Sequence, residues 1–417
     1  MTGCGNNGAG RAVLMLAGLL AFATNAGAQA AVGSGPLTAT LADSEPTAGV
    51  LSLGPVKVAP GLVIREIGWD SNVFDETEAE GPKDDFVLGA MPDVAMFSRL
   101  RFFKVSAYAG SELNYFHTYQ SEQSIGHAVR GRVDLLLSRV RPFIGAGQTK
   151  TRTRPNGEIT ARANRKEEEL SGGVAFELGT HSSVYGATIR TKSTFKDAFE
   201  EKLDLGQSLT REGVEYSGGV RTDLTPLAAL TVSAGVREDT FKFLPLRNAD
   251  SRIAVATLKI DAAAVVTGAV TVAFNDFKAV DPRVKPFRGI TGSAALAYSL
   301  LEVGRLAVSA SRRQEYSFDA AEAYYLENAI SLAYNHRLFG NVDAQVRGGR
   351  ALFDYGFHEG TPPHTDTLDT VEGGVGYNLR NRTRVSFNYE YARRRSPALA
   401  DRNYNRRRAF LAWTFAL

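Results

Sequence analysis

The amino-acid sequence predicts an all-β protein, a closed antiparallel transmembrane β-barrel of about 18 strands, with 16 strands as the alternative count. Three observations predict this fold class. Apolar and polar residues alternate with a period of two, short turns alternate with long polar connections, and the last strand carries regularly spaced aromatic residues. Both termini are expected on the side of the short turns, which is the periplasmic side of bacterial outer-membrane barrels.

The composition alone resembles that of a large soluble protein with two or three domains. The chain has 417 residues, 44% hydrophobic and 22% charged, with 48 Lys and Arg against 45 Asp and Glu. Beyond residue 30, no apolar run approaches the roughly 18 residues that a membrane-spanning helix needs, which excludes helical membrane proteins. The near-zero net charge argues against a nucleic-acid partner, because phosphate binding needs a strong positive excess.

The N-terminus is predicted to be a secretory signal peptide that covers residues 1–30. Arg11 is its only charged residue, residues 12–23 form an apolar run, and small residues follow. Cleavage fits after Ala28 or after Ala30. An anchoring helix is the rejected alternative, because the apolar run is too short to cross a membrane.

The mature chain is predicted to be free of cysteine and to form one folded unit. Cys4, the only cysteine, lies inside the expected signal peptide, so neither disulfides nor thiol chemistry are expected. Residues 31–55 are low in charge and rich in Ala, Gly, Pro, Ser and Thr, which predicts a flexible periplasmic lead-in. Residues 56–417 contain no further linker and are assigned to the barrel.

Long alternating segments predict the strands. In residues 385–391, the odd positions are apolar or aromatic and the even positions are polar, and residues 169–178 alternate in the same way. Many such segments run for 10 to 14 residues, whereas sandwich strands usually have about 5 or 6. A second sheet could cover the apolar faces, but the opposite faces carry Arg, Glu and Asn too densely for a dry core. Lipid outside and water inside satisfy both faces.

The connections predict the strand count. Eight short turns and nine long loops alternate, and they join 18 strands. The short turns are expected at 98–101, 139–141, 179–182, 223–226, 266–269, 300–304, 337–340 and 380–382. The long loops are expected at 70–85, 116–124, 154–164, 196–207, 241–250, 279–286, 315–324, 354–367 and 394–405.

The final strand is similar to the C-terminal assembly signal of outer-membrane proteins. Trp413, Phe415 and Leu417 share one face of this strand with Leu411 and Ala409. The resemblance implies recognition by the barrel-assembly machinery. The usual last residue is Phe, and Leu417 departs from that pattern. An ordinary C-terminal strand without a signal is the alternative.

The opening strand resembles that of a family of outer-membrane β-barrel porins. Residues 61–74 read GLVIREIGWDSNVF, and members of the family often begin with an apolar strand that ends in Asp-Ser-Asn or Asp-Asp-Asn, then Val or Ile, then Phe. The resemblance implies an outer-membrane location and passage of a solute or polymer. Members often resemble barrels of exopolysaccharide loci, which implies a link to exopolysaccharide export.

The inward faces of the predicted strands carry charges of both signs. One interpretation is an aqueous pathway that selects polar solutes or saccharides. The alternative is a densely ion-paired and nearly closed lumen that stabilises the barrel. The main candidates are Arg130, Arg132, Asp134, Glu169, Glu215, Arg221, Arg237, Arg347, Glu372, Arg384 and Glu390. The same assignment extends to Lys104, Glu112, Glu177, Arg190, Asp239, Glu327, Asp343 and Gln345.

Two arginine triplets, 393–395 and 406–408, flank the last long loop. Their outward members, Arg393, Arg395 and Arg407, are candidates for binding lipopolysaccharide phosphates at the outer rim, because guanidinium groups match phosphate geometry. Inward members could instead attract an anionic polymer. A solvated rim without a ligand is an equally open alternative.

No enzyme motif is found. The six histidines lack metal-ligand spacing, and there is no nucleophile, phosphate-loop or dinucleotide motif, so neither a metal nor a cofactor is expected. Asp84-Asp85 and the pair Asp366 and Asp369 could serve a loop-borne hydrolase or bind calcium, although solvated loop acids explain them better. The alternative to a porin is a non-conducting barrel whose external loops bind a ligand or partner.

Overall fold

A computed structural model describes residues 51–261, 264–300, 303–319, 322–379 and 383–416. The signal peptide, most of the lead-in, the turn expected at 380–382 and Leu417 lie outside these residues. The strands are β1 Leu51–Leu53, β2 Val56–Asp70, β3 Asp85–Arg99, β4 Phe103–Phe116, β5 Ser124–Leu135, β6 Val140–Thr153, β7 Ala163–Glu177, β8 Ser182–Lys196, β9 Phe199–Glu200, β10 Leu203–Asp204, β11 Arg211–Thr225, β12 Ala228–Phe241, β13 Ala249–Ile260, β14 Val266–Ala279, β15 Phe287–Leu300, β16 Gly304–Tyr316, β17 Tyr324–Phe339, β18 Val342–Asp354, β19 Thr365–Leu379, β20 Thr383–Arg395 and β21 Tyr404–Ala416. Within these described ranges, one short α-helix, α1, covers Leu205–Leu209, and single-turn 3-10 helices cover Gln120–Glu122, Pro245–Arg247 and Ala400–Arg402.

Eighteen long strands, β2 to β8 and β11 to β21, form one closed antiparallel barrel. Each pairs with its neighbours in sequence, and β2 pairs with β21 to close the ring. The predicted count of 18 is therefore confirmed, and the alternative of 16 is wrong. The strands have 12 to 16 residues, more than the roughly 9 to 11 that cross a bilayer, so they extend beyond it.

The period of two puts large apolar side chains on the outside. On β7, Leu170 and Phe176 are exposed, and on β19 Val371 and Val375 are exposed. Residues between them point inward, because successive side chains of a strand lie on opposite faces. Lipid accounts for this exposed apolar surface.

Among the connections that the structure describes, short and long ones alternate as predicted, with one error in position. The turn expected at 266–269 is wrong, because these residues lie within β14, where Gly268 pairs with Leu296 and Ile260. Gly268 has a φ of 132°, and a side chain there would meet the backbone of Ala295. The glycine that indicated a turn therefore permits close strand packing instead.

The Asp-Ser-Asn segment joins the first barrel strand to the last. Asp70 accepts a hydrogen bond from Nε of Arg406 at 2.9 Å, and the Ser71 N–H donates to the Arg407 carbonyl at 2.9 Å. Asn72 donates to the carbonyls of Glu76 and Asn405 at 2.7 and 3.2 Å. These bonds satisfy backbone groups just beyond the β2–β21 ladder.

Among the described residues, none of the helices combines the length and apolar character of a membrane-spanning helix. The described end of the expected lead-in, Leu51–Leu53, forms β1 and pairs with Val56–Val58 of β2.

Candidate functional site: a capped lumen

The inner face of the barrel carries the predicted lumen residues. The eleven main candidates all lie on the face opposite exposed apolar neighbours, such as Val133 between Arg132 and Asp134. Arg190 is the exception in the wider set: it points outward and forms an ion pair with Glu212 at 2.6 Å. The upper part of β8 carries polar residues on its outer face, so charge alone does not identify the lumen side there.

One wall of the lumen is dense with ion pairs. Arg132 and Asp134 lie 2.7 Å apart, and Arg384 and Asp343 lie 2.6 Å apart. The Arg132 guanidinium also stacks over Phe143, 3.8 Å from the ring centroid. Further pairs on this wall join Arg65 to Glu112, Arg347 to Glu372 and Arg408 to Glu390. Arg237 and Asp239 form a pair on β12, beside the opposite wall. Long side chains are thereby tied together along this wall.

The opposite wall, on β13 to β17, carries small uncharged side chains in its middle section. Ser293 and Ala295 on β15 point inward and are exposed to the lumen. Hydroxyl pairs link neighbouring strands, Thr257 to Thr271 at 3.0 Å and Ser309 to Ser331 at 2.7 Å. We call the inward residues Thr257, Thr271, Ser293, Ala295, Ala307, Ser309, Ser331 and Ala333 the neutral wall. Sequence reasoning missed it, although alternate small residues on consecutive strands were a visible signal.

The long-loop end of the lumen is covered by a cap, defined as residues 71–84, 154–162, 197–210, 317–319, 322–323 and 355–364. The segment 154–162 leaves β6 and reaches the opposite side of the ring. Asn156 donates to the Tyr316 carbonyl at 3.3 Å, and Arg394 of β20 donates to the Gly157 carbonyl at 2.9 Å. This loop therefore crosses the mouth of the barrel.

Glu158 lies at the centre of the cap with 2% of its surface exposed. Its carboxylate accepts hydrogen bonds from the Ser317 hydroxyl at 2.9 Å and from the Phe318 N–H at 3.1 Å. Arg402 lies 3.9 Å away. Burial raises the pKa of Glu158 to about 7, against the lowering effects of Arg402, Ser317, Phe318 and Arg394. The loop crossing is thus anchored by an acid that titrates near neutrality.

A second ionic group fixes the cap to β21. Asp75, which adopts a left-handed φ of 57°, lies 2.9 Å from Arg154 and 3.3 Å from Arg406. Arg154 and Arg162 both donate to the Val73 carbonyl, at 3.0 and 2.8 Å. Burial, together with Arg154 and Arg406, lowers the pKa of Arg162 to about 9. Buried charges are tolerated here because each has a partner.

Apolar side chains fill the remaining space under the loops. Ile159, Leu205, Leu209 and Phe318 pack in one cluster. A second cluster contains Tyr325, Phe353 and Tyr355, and a third surrounds Tyr324. Since these side chains are buried, the middle of the cap is closed to solvent, whereas Ser293 and Ala295 of the neutral wall below it are exposed.

The two arginine triplets separate by face. Arg394, Arg406 and Arg408 point inward and are paired with Asp366, Asp70 and Glu390. Arg395 and Arg407 point outward and are exposed, and Arg393 points outward and is half-buried. In the final strand, Trp413 and Phe415 also face outward.

The predicted loop acids have structural partners. Asp84 accepts from the Trp69 indole at 2.8 Å, and Asp85 accepts from the backbone N–H groups of Thr118 and Tyr119. Asp366 and Asp369 pair with Arg394 and Arg350. The part of the chain that the structure describes contains no group of three or more His, Cys, Asp or Glu side chains that could hold a metal ion.

Comparison with known proteins gives one family and several similar folds. The model of the family described as Putative beta-barrel porin 2 matches residues 53–416. The outer membrane protein OpdK from Pseudomonas aeruginosa is 10% identical, with a TM-score of 0.48, over 86% of this chain and 99% of that chain. A BenF-like porin from Pseudomonas fluorescens Pf-5 is also 10% identical, with a TM-score of 0.49, over the same shares of the two chains. None of the curated proteins matches.

Proposed function

Starting from the fact that this chain belongs to the family described as Putative beta-barrel porin 2, we propose that its lumen conducts polar solutes and that the cap gates the passage. The chain is a porin-like β-barrel of the outer membrane. The short-turn end faces the periplasm in this proposal, as in other barrels with short periplasmic turns. Assembly of the barrel would then depend on recognition of the outward-facing Trp413 and Phe415 by the barrel-assembly machinery.

The neutral wall is the observation that carries the proposal. Ser293 and Ala295 are short side chains that are exposed on the inner face, whereas Arg132 and Arg384 reach into the lumen from other strands. A solute would therefore pass along the neutral wall while facing paired charges on the other side. Hydroxyl groups and charged side chains can exchange hydrogen bonds with a polar solute in place of its water.

The cap supports a gate rather than a permanently open pore. Its central loop, 154–162, is connected to the opposite side of the ring by hydrogen bonds and ion pairs, all of which can exchange with water when the loop withdraws. Opening therefore requires that the contacts of Glu158, Gly157 and Asn156 break together. Conformational steps of loops of this kind occur on microsecond to millisecond time scales.

Saccharides are the solute class that we propose first. The lumen offers many hydrogen-bond donors and acceptors and nearly balanced charge, which suits neutral or weakly charged polar molecules. A link to exopolysaccharide export is the more specific form of this proposal, and it rests on the resemblance of the opening strand. Export would require that the cap opens for an extended polymer.

Conductance tests the proposal. The refolded mature barrel is inserted into planar bilayers beside a variant in which residues 156–160 are replaced by glycine and serine. We expect brief openings from the wild type and a larger, steadier conductance from the variant. Swelling of liposomes in mono-, di- and tetrasaccharides then gives the size limit. The absence of current and swelling with both proteins would refute the proposal.

The second candidate is a non-conducting barrel whose external loops bind a ligand or partner. The dry, ion-paired interior of the cap favours it, because such packing resembles a structural core. The loop-replacement variant distinguishes the two candidates. A barrel that does not conduct should show neither current nor liposome swelling with any of the three sugars, even when its cap is loosened.

A further inference from the structure

We propose that the outward-facing arginines Arg393, Arg395 and Arg407 bind phosphate groups of lipopolysaccharide at the long-loop end of the barrel. These residues belong to two paired strands, β20 and β21. Arg407 is opposite Tyr391, and Arg393 is opposite Asn405, so the two arginines are diagonal neighbours. Arg395 follows on the same outer face of β20.

The three guanidinium groups lack anionic partners among the described residues. The nearest acid in the ladder, Asp369, is opposite Arg393 but is already held by two hydrogen bonds from Arg350, at 2.6 and 3.1 Å. Glu78 accepts from the Asn405 amide at 3.1 Å. The inward members of the same triplets are all paired, so the positive charge of this surface is concentrated on its outer face.

Aromatic side chains place the arginines at the height of lipid headgroups. Tyr389 and Trp69 face outward on either side of Ala409, and both are exposed. Tyr and Trp concentrate where the hydrocarbon meets the headgroups. Arg407 lies two residues beyond Ala409 toward the long loops, and Arg393 lies four residues beyond Tyr389. Both arginines are therefore just outside the aromatic row, at the height where the phosphates of the outer leaflet lie.

Guanidinium groups bind phosphate oxygens through two parallel hydrogen bonds, and three of them on adjacent strands can hold more than one phosphate. Lipid A carries two phosphates on a disaccharide, which matches a cluster better than a single cation. This inference is independent of whether the lumen conducts, because all three residues face away from it.

A matched set of arginines provides the control. Arg252 and Arg288 also face outward in the long-loop half, but both lie opposite Asp276, and Arg312 donates to Asn328 at 3.1 Å. The variants R393Q/R395Q/R407Q and R252Q/R288Q/R312Q remove the same charge. Barrel refolded from inclusion bodies, which is free of lipopolysaccharide, is titrated with lipid A, with lipid A lacking both phosphates, and with inorganic phosphate as competitor.

We expect the first variant to lose on the order of tenfold or more in affinity for lipid A, and the control variant to change less than about twofold. R407Q alone should show a smaller loss of affinity. This single variant keeps the test valid if the triple variant does not fold. Lipid A without phosphates should not distinguish the proteins. The proposal would be overturned if the first variant kept its affinity for lipid A or if the control variant lost as much affinity. It would also be overturned if inorganic phosphate displaced lipid A at concentrations similar to that of lipid A itself.

Discussion

Arg394 and Asp366 form a buried ion pair at the mouth of the barrel, with Nη2 and Oδ2 2.9 Å apart and side chains 2% and 0% exposed. The same guanidinium donates through Nη1 to the carbonyls of Gly157 and Glu158, at 2.9 and 3.2 Å. One arginine of β20 therefore connects the wall of the barrel to the loop that crosses it.

Replacement of this arginine should open the cap. Arg394→Ala removes both loop contacts and leaves the Asp366 carboxylate buried without its cation, a change that typically costs about 3 to 5 kcal/mol. We expect higher conductance in planar bilayers and a lower unfolding midpoint in denaturant. Arg350→Ala is the control, because Arg350 forms a similar but exposed pair with Asp369 and should change the midpoint little. Unchanged conductance in Arg394→Ala would contradict the gating role of the loop.

The cap should be more stable in acid than at alkaline pH. The pKa of Glu158 is raised from 4.5 to about 7 when the loop is in place, so the closed cap binds a proton that the open loop releases. Its stabilisation is present in full below pH 4.5 and is lost as the pH rises through 7. The equilibrium constant for closing should fall by roughly 300-fold across this interval, because each unit of the pKa shift corresponds to a factor of ten. We expect single-channel open probability to rise accordingly.

Glu158→Gln should remove that dependence, because its amide keeps the shape of the protonated acid and does not titrate. Open probability should then stay low between about pH 5 and pH 8, an interval that spans the pKa of about 7 of the replaced carboxyl. Glu359→Gln, at an exposed loop position, should behave as the wild type. A pH response that persists in Glu158→Gln would assign the titration to another group.

Asn72 should be important for barrel stability. Its side chain, 0% exposed, donates to two carbonyls and accepts from the Glu76 N–H at 2.9 Å. Asn72→Ala leaves these buried groups unsatisfied, and we expect a loss of about 1 to 3 kcal/mol in the free energy of unfolding, measured by denaturant titration in detergent. Asn341→Ala, in an exposed short turn, should change it by less than about 0.5 kcal/mol. Equal values for the two variants would count against this role.

The neutral wall should be reachable from water through the lumen. The only cysteine is Cys4, within the predicted signal peptide, so single cysteines can be introduced without background. Ser293→Cys should react with a charged, membrane-impermeant thiosulfonate and lose conductance, because the reagent adds bulk beside the pathway. Ala294→Cys faces lipid and should not react. Comparable reaction rates at both positions would exclude the assigned faces.

Local sequence patterns were sufficient for most of the barrel and insufficient for its cap. Alternation assigned Arg132 and Asp134 to one face because side-chain direction in a strand depends only on position. The same reasoning was wrong at Arg190, where the outer face is itself charged. It was wrong at 266–269, where Gly268 permits close strand packing. It had no means of identifying Glu158, one acid in a polar loop.

The sequence by itself predicted a closed barrel of about 18 strands, the two faces of most strands and the outward aromatic residues of the last strand, because the alternation that indicates them repeats every two residues and needs no distant contact. Only the tertiary structure decided that Glu158 meets Arg394, 236 residues further along the chain. It also decided that three of the six arginines in the two triplets form ion pairs. Contacts across the mouth depend on ring closure and on loop conformation, and neither leaves a periodic signal in the sequence.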